Sequence, residues 1–86
     1  MKEEITSIVN QLSYVESLLT KFVNYVEDEI WIERLNKVVE CKSKLLSYSN
    51  LDSDELINLL LITDGLLKII YTDMVKIKMQ QPVVMQ

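Results

Sequence analysis

The chain has 86 residues, of which 49% are hydrophobic, and a formal net charge of −4. One cysteine, one glycine and no histidine exclude an internal disulfide, a glycine-rich phosphate loop, a histidine-based catalytic triad and the usual zinc sites. The acidic balance argues against nucleic acid as a ligand, and we expect no metal, no cofactor and no enzymatic activity.

The first predicted helix spans about residues 2–26. Its apolar residues alternate at spacings of three and four, the heptad pattern of a helix that packs along another helix: Ile5, Ile8, Leu12, Val15, Leu19, Phe22 and Val26. The next positions in phase are glutamates, so we predict a turn within Asn24 to Glu29, with Asn24 or Asp28 as the cap. No glycine or proline enforces this turn, and a single long helix through Leu46 is the alternative.

The second predicted helix spans about residues 29–48. Glu40 and Lys44 lie four residues apart on its outer side, as do Glu33 and Lys37, in the orientation that favours ion pairs. Its apolar residues are predicted to face inward: Trp31, Leu35, Val38, Leu45 and Leu46.

The third predicted helix starts near Ser53 and ends before Pro82, whose ring disfavours helical geometry in the preceding residue. Asp52 as N-cap and Glu55 three residues later form a variant of the capping box, which fixes the start of the helix. Because short connections make successive helices antiparallel, the sequence predicts an all-α, up-down-up three-helix bundle with coiled-coil-like packing.

We predict a single domain in residues 1–81, a frayed tail in residues 82–86, and a homodimer. The dimer is expected because the apolar arc of helix three covers about two-thirds of its circumference, more than two neighbours need in so short a chain. A central helix in a compact bundle is the alternative. The predicted self-association residues are Leu59, Leu66, Ile70 and Ile77, or the flanking Leu60, Leu67 and Met74.

Three charged residues occupy positions where the helical spacing expects apolar ones: Glu16, Lys42 and Asp64. An unpaired buried charge is costly, so a buried Lys42 is expected to pair with Glu16 or Asp64 as a core polar cluster. The alternative is that Lys42 lays its stem over apolar surface and keeps its ammonium in water.

The outward side of helix one is unusual because it carries small uncharged residues instead of Lys and Glu: Thr6, Asn10, Ser13, Ser17, Thr20 and Asn24. Small side chains permit close approach of another surface, and tyrosines are common interface anchors. The candidate partner-binding surface is therefore Tyr14, Ser17, Lys21, Asn24 and Tyr25. A solvated face without a partner is the alternative.

The sequence has no catalytic or metal-binding motif and a surplus of apolar residues. Together these features predict a small cytoplasmic protein–protein interaction module: a regulator, adaptor or inhibitor. The lone cysteine fits a reducing compartment, and Met1 to Glu4 do not look like the start of a signal peptide. The most apolar stretch, residues 56–71, contains Asp64 and Lys68 and is interpreted as a core helix, not a membrane span. Alternatives are a bacteriocin-immunity-type bundle that protects a producer cell, similar only in size and helicity, and a structural or chaperone subunit of a larger assembly.

Overall fold

A computed structural model of the chain describes the backbone of residues 2–80 and the side chains of residues 2–77. This part contains three α-helices and no β-strand: α1 (Lys2–Phe22), α2 (Glu29–Leu46) and α3 (Ser53–Gln80). A short 3₁₀ turn, Tyr48–Asn50, precedes α3. The three helices pack together, which confirms the predicted all-α bundle. The predicted frayed tail, residues 82–86, lies outside the described residues.

The chain reverses direction between α1 and α2 over residues 23–28, so the alternative of one continuous helix is wrong. Helix α1 ends at Phe22, four residues before the predicted end. The ring of Phe22 packs edge-on against that of Trp31, with their centroids 4.7 Å apart, and this contact spans the reversal. Asp28 caps α2 as predicted, because its Oδ1 accepts a hydrogen bond from the backbone N–H of Ile30 at 3.1 Å.

The start of α3 is the predicted capping box. The carboxylate of Asp52 accepts a hydrogen bond from the backbone N–H of Glu55 at 2.8 Å. The carboxylate of Glu55 in turn accepts one from the backbone N–H of Asp52 at 3.1 Å. Two N–H groups that a helix start would leave without a backbone partner are thereby satisfied, and α3 begins at Ser53 as predicted.

Contacts near the helix ends fix the relative directions of the helices. Leu46, the last residue of α2, lies beside Thr6 and Asn10 in the first half of α1, and Arg34, near the start of α2, contacts Asp73 in the second half of α3 at 2.7 Å. The guanidinium of Arg34 also lies 4.7 Å from the centroid of the Trp31 ring, a cation–π contact that the sequence did not predict. Because early residues of each helix meet late residues of the next, α1, α2 and α3 run up, down and up.

The core lies between the three helices and takes residues from each of them. Its completely buried apolar side chains are Leu12, Val15, Leu19, Val38, Leu45 and Ile70. Cys41, the only cysteine, is also buried. Leu46 was predicted to face inward, but its side chain is 64% exposed. Consecutive side chains on a helix point about 100° apart, so only one of this pair can face the core, and Leu45 does.

Candidate interaction surfaces

The residues of the predicted partner surface are all exposed in the structure: Tyr14, Ser17, Lys21, Asn24 and Tyr25. The heptad of α1 turns its apolar residues toward α2 and α3 and leaves Tyr14, Ser17 and Lys21 on the other side. Asn24 and Tyr25 lie in the reversal that follows α1. The two aromatic rings are the notable members, with Tyr14 61% and Tyr25 86% exposed. We call these five residues the tyrosine surface.

An open groove of about 330 Å³ lies between α1 and α2, next to the tyrosine surface. The hydroxyl of Thr20 donates to the backbone carbonyl of Glu16 at 2.8 Å, so it is already used within α1. Nζ of Lys42 lies 2.8 Å from a carboxylate oxygen of Glu16, with the two side chains 29% and 32% exposed. The groove therefore contains a half-buried ion pair whose charges neutralise each other. Its lining residues are Ser13, Glu16, Ser17, Thr20, Lys21 and Lys42.

The third member of the predicted polar cluster, Asp64, is not near this pair. Its carboxylate contacts Lys68 of the same helix at 3.0 Å, and both side chains are exposed. Asp64 lies nine residues from Asp73, the α3 residue that contacts α2. Nine residues are two and a half helical turns, so the two side chains point in opposite directions. Asp64 therefore points away from α2. The structure brings together Glu16 and Lys42 but leaves Asp64 on a different surface.

The predicted self-association residues contribute to the core of the single chain. Leu59 and Ile70 are buried, and Leu66 and Ile77 are partly buried against them. The flanking set is also part of this core: Leu60, Leu67 and Met74. Helix α3 uses this side to cover α1 and α2, so these residues are not the exposed apolar surface that the prediction assigned to a second copy. The exposed apolar residues of α3 are others: Ile57, Leu61, Ile62, Ile69 and Val75.

A line of exposed apolar residues also follows α2. Ile32, Val39 and Leu46 are 48%, 43% and 64% exposed. They are spaced seven residues apart, and a seven-residue spacing keeps side chains on one side of a helix. Leu46 borders a second groove together with Thr6 and Asn10 of α1, so this line faces the same side of the bundle as the uncharged stripe of α1. We call these three residues the α2 ridge. Its seven-residue spacing is visible in the sequence, but none of the predicted interaction surfaces included Ile32 or Val39.

Two features are absent from the described residues. Among them, no group of three or more Cys, Asp or Glu side chains could hold a metal ion, and no helix is long and apolar enough to cross a membrane. The hydroxyl of Thr63 is buried and has no hydrogen-bond partner. No family model, no curated protein and no solved structure matches the chain.

Proposed function

We propose that this chain is a non-catalytic, cytoplasmic helical protein that acts as a homodimer and regulates, adapts or inhibits a partner protein through the tyrosine surface. The observation that carries the proposal is the exposure of Tyr14 and Tyr25 beside a nearly uncharged side of α1. Between Ile5 and Val26 only Glu16 and Lys21 carry a charge, and Glu16 is neutralised by its ion pair. A solvated helix side usually carries many more charges.

The chemistry of the tyrosine surface suits binding to another protein. A tyrosine offers a large, rigid apolar face and a hydroxyl that can form a hydrogen bond, and for this reason it is enriched among the residues that dominate binding energies. Ser17 and Asn24 are small neighbours that let a second backbone approach. Lys21 adds one positive charge at the surface, so the matching partner presents a neutral or acidic contact there.

Site-specific photo-crosslinking in the native cells tests this proposal. The changes are Tyr14→p-benzoylphenylalanine and, separately, Tyr25→p-benzoylphenylalanine, with the same replacement at Thr72 as the matched control. Thr72 is also exposed, but it lies on the polar side of α3. We expect both tyrosine positions to give one discrete heavier adduct that the control does not give. No adduct, or the same adducts from all three positions, would contradict the proposal.

The identity of the captured protein distinguishes the proposed regulator from its alternatives. A soluble enzyme or regulatory protein fits the proposal. A membrane transporter would favour the bacteriocin-immunity-type function, and a repeated ladder of the chain's own copies would favour a structural subunit.

A further inference from the structure

We infer that the α2 ridge is the homodimer contact, and that two copies pack α2 against α2 in antiparallel orientation about a two-fold axis at Val39. This inference rests on the proposed function only in that the chain acts as a homodimer. It does not depend on the partner contact of Tyr14 and Tyr25.

The spacing of the α2 ridge makes it complementary to itself. Val39 lies midway between Ile32 and Leu46, seven residues from each. In an antiparallel pair centred on Val39, the two Val39 side chains meet, and each Ile32 meets the partner's Leu46. One apolar patch then covers an identical patch, which is what closed two-fold symmetry requires. The seven-residue repeat is also the spacing that lets two helices stay in contact along their length.

The charges around the ridge favour a second copy as the occupant. The chain as a whole carries −4, so a contact between two copies is favoured where the surface itself carries no net charge. The ridge is bordered on its outer side by the uncharged Asn36 and Ser43. On its α1 side lies the ion pair of Lys42 with Glu16, whose charges cancel. This strip can therefore meet its own copy without repulsion between like charges.

The size of the surface is enough for a weak dimer. The α2 ridge from Ile32 to Leu46 is about 21 Å long at 1.5 Å per residue, and α2 with the neighbouring edge of α1 is about 20 Å wide. Each copy can thus bury roughly 400 Å², or about 800 Å² in total, which is the size of a weak, transient interface. We therefore expect dissociation in the micromolar range.

The exposed apolar residues of α3 form no comparable surface. At 100° per residue, Thr72 and Lys76 separate Ile62 and Ile69 from the other exposed apolar residues of α3. These others lie on either side of the charged Lys68: Ile57, Leu61 and Val75. Two separated apolar groups offer a second copy no continuous line of contact. The competing surface is thus the weaker candidate, and Ile69, 52% exposed, is a suitable control position.

Sedimentation equilibrium of the full chain across the micromolar range tests the contact, with Val39→Lys and the control Ile69→Lys. We expect a monomer–dimer equilibrium for the unchanged chain and for Ile69→Lys. Val39→Lys should remain monomeric throughout, with an unchanged helical circular dichroism spectrum. A monomeric unchanged chain, or a dimer that Ile69→Lys disrupts and Val39→Lys does not, would overturn the inference.

Disulfide formation tests the geometry without relying on a disruptive charge. Because Val39 lies on the axis, Val39→Cys in a Cys41→Ala background should oxidise readily to a covalent dimer. Ile69→Cys in the same background should stay reduced and monomeric on a denaturing gel. The reverse pattern would place the contact on α3 and overturn the inference. If the chain forms this dimer but gives no photo-crosslink from Tyr14 or Tyr25, the result contradicts the proposed partner contact and leaves the dimer contact supported.

Discussion

The ion pair of Glu16 with Lys42 leads to the most informative stability measurement. Glu16→Gln keeps the size of the side chain but removes its charge, and it leaves the ammonium of Lys42 without its 2.8 Å partner. Both side chains are about 30% exposed, so water compensates part of the loss. Exposed pairs contribute about 0.2–1 kcal/mol and the breaking of a buried pair costs about 3–5 kcal/mol. Between these limits we expect Glu16→Gln to lower the free energy of unfolding by about 1–2 kcal/mol.

The chain contains a matched control for this measurement. Asp64 and Lys68 also form a lysine–carboxylate contact, at 3.0 Å, but their side chains are 63% and 75% exposed. Asp64→Asn should therefore cost at most about 0.5 kcal/mol. Urea denaturation at pH 7, at one fixed protein concentration, measures both changes. Equal losses for the two variants, or no loss for Glu16→Gln, would refute the reasoning that partial burial strengthens the pair.

Lys42→Met completes the comparison. Methionine keeps an apolar stem over the α1–α2 contact and removes the ammonium, and the carboxylate of Glu16, which is partly open to water, can then be hydrated. We expect this variant to lose less stability than Glu16→Gln. The combined variant should lose less than the sum of the two single losses, by about 1 kcal/mol, which is the coupling energy of the pair. Strict additivity would mean that the two side chains do not interact in solution.

Three further predictions concern single helices. Asp52→Ala should lower the free energy of unfolding by about 0.5–2 kcal/mol in chemical denaturation. Asp54→Ala, in the same first turn, should lower it clearly less, and equal losses would argue against Asp52 as the cap. The hydrogen bond and charge of Lys44 lower the pKa of Glu40 from 4.5. The ionised Glu40 therefore stabilises the folded chain above pH 4.5, and this stabilisation is lost as the pH falls through the pKa of Glu40 in the folded state. Lys44→Met should raise the Glu40 pKa in an NMR titration, and an unchanged midpoint would contradict this cause. A Cβ added at Gly65 meets no atom within 4 Å, so Gly65→Ala should stabilise the chain by about 0.5–1 kcal/mol in thermal denaturation; a loss would contradict it.

The features that the sequence predicted correctly depend on groups a few residues apart. The cap at Asp28 and the box of Asp52 with Glu55 each join groups two or three residues apart. Their geometry is set by the chain itself, and no distant element has to be known. The outward position of Tyr14, Ser17 and Lys21 was also predictable, because the strong heptad of α1 fixes which side faces the core.

The features that the sequence did not predict depend on how far each helix is rotated about its axis. Leu45 and Leu46 are equally apolar, and only the position of α1 decides which of them is buried. The same holds for Asp64, which could reach Lys42 only if α3 were turned by about half a revolution. The broad apolar arc of α3 did not reveal which part of it the other two helices would cover. The contact of Arg34 with Trp31 and Asp73 likewise joins groups on two helices.

The buried cysteine can be used to measure how often the helical bundle opens transiently. Cys41 is the only thiol in the chain and is 4% exposed, so a reagent in water can modify it only while α2 is transiently separated from its neighbours. The labelling rate then measures how often the bundle opens, with no dye or mutation introduced. Since Cys41 lies two residues from Val39, that rate should also fall as protein concentration rises, if pairing through α2 holds the bundle closed.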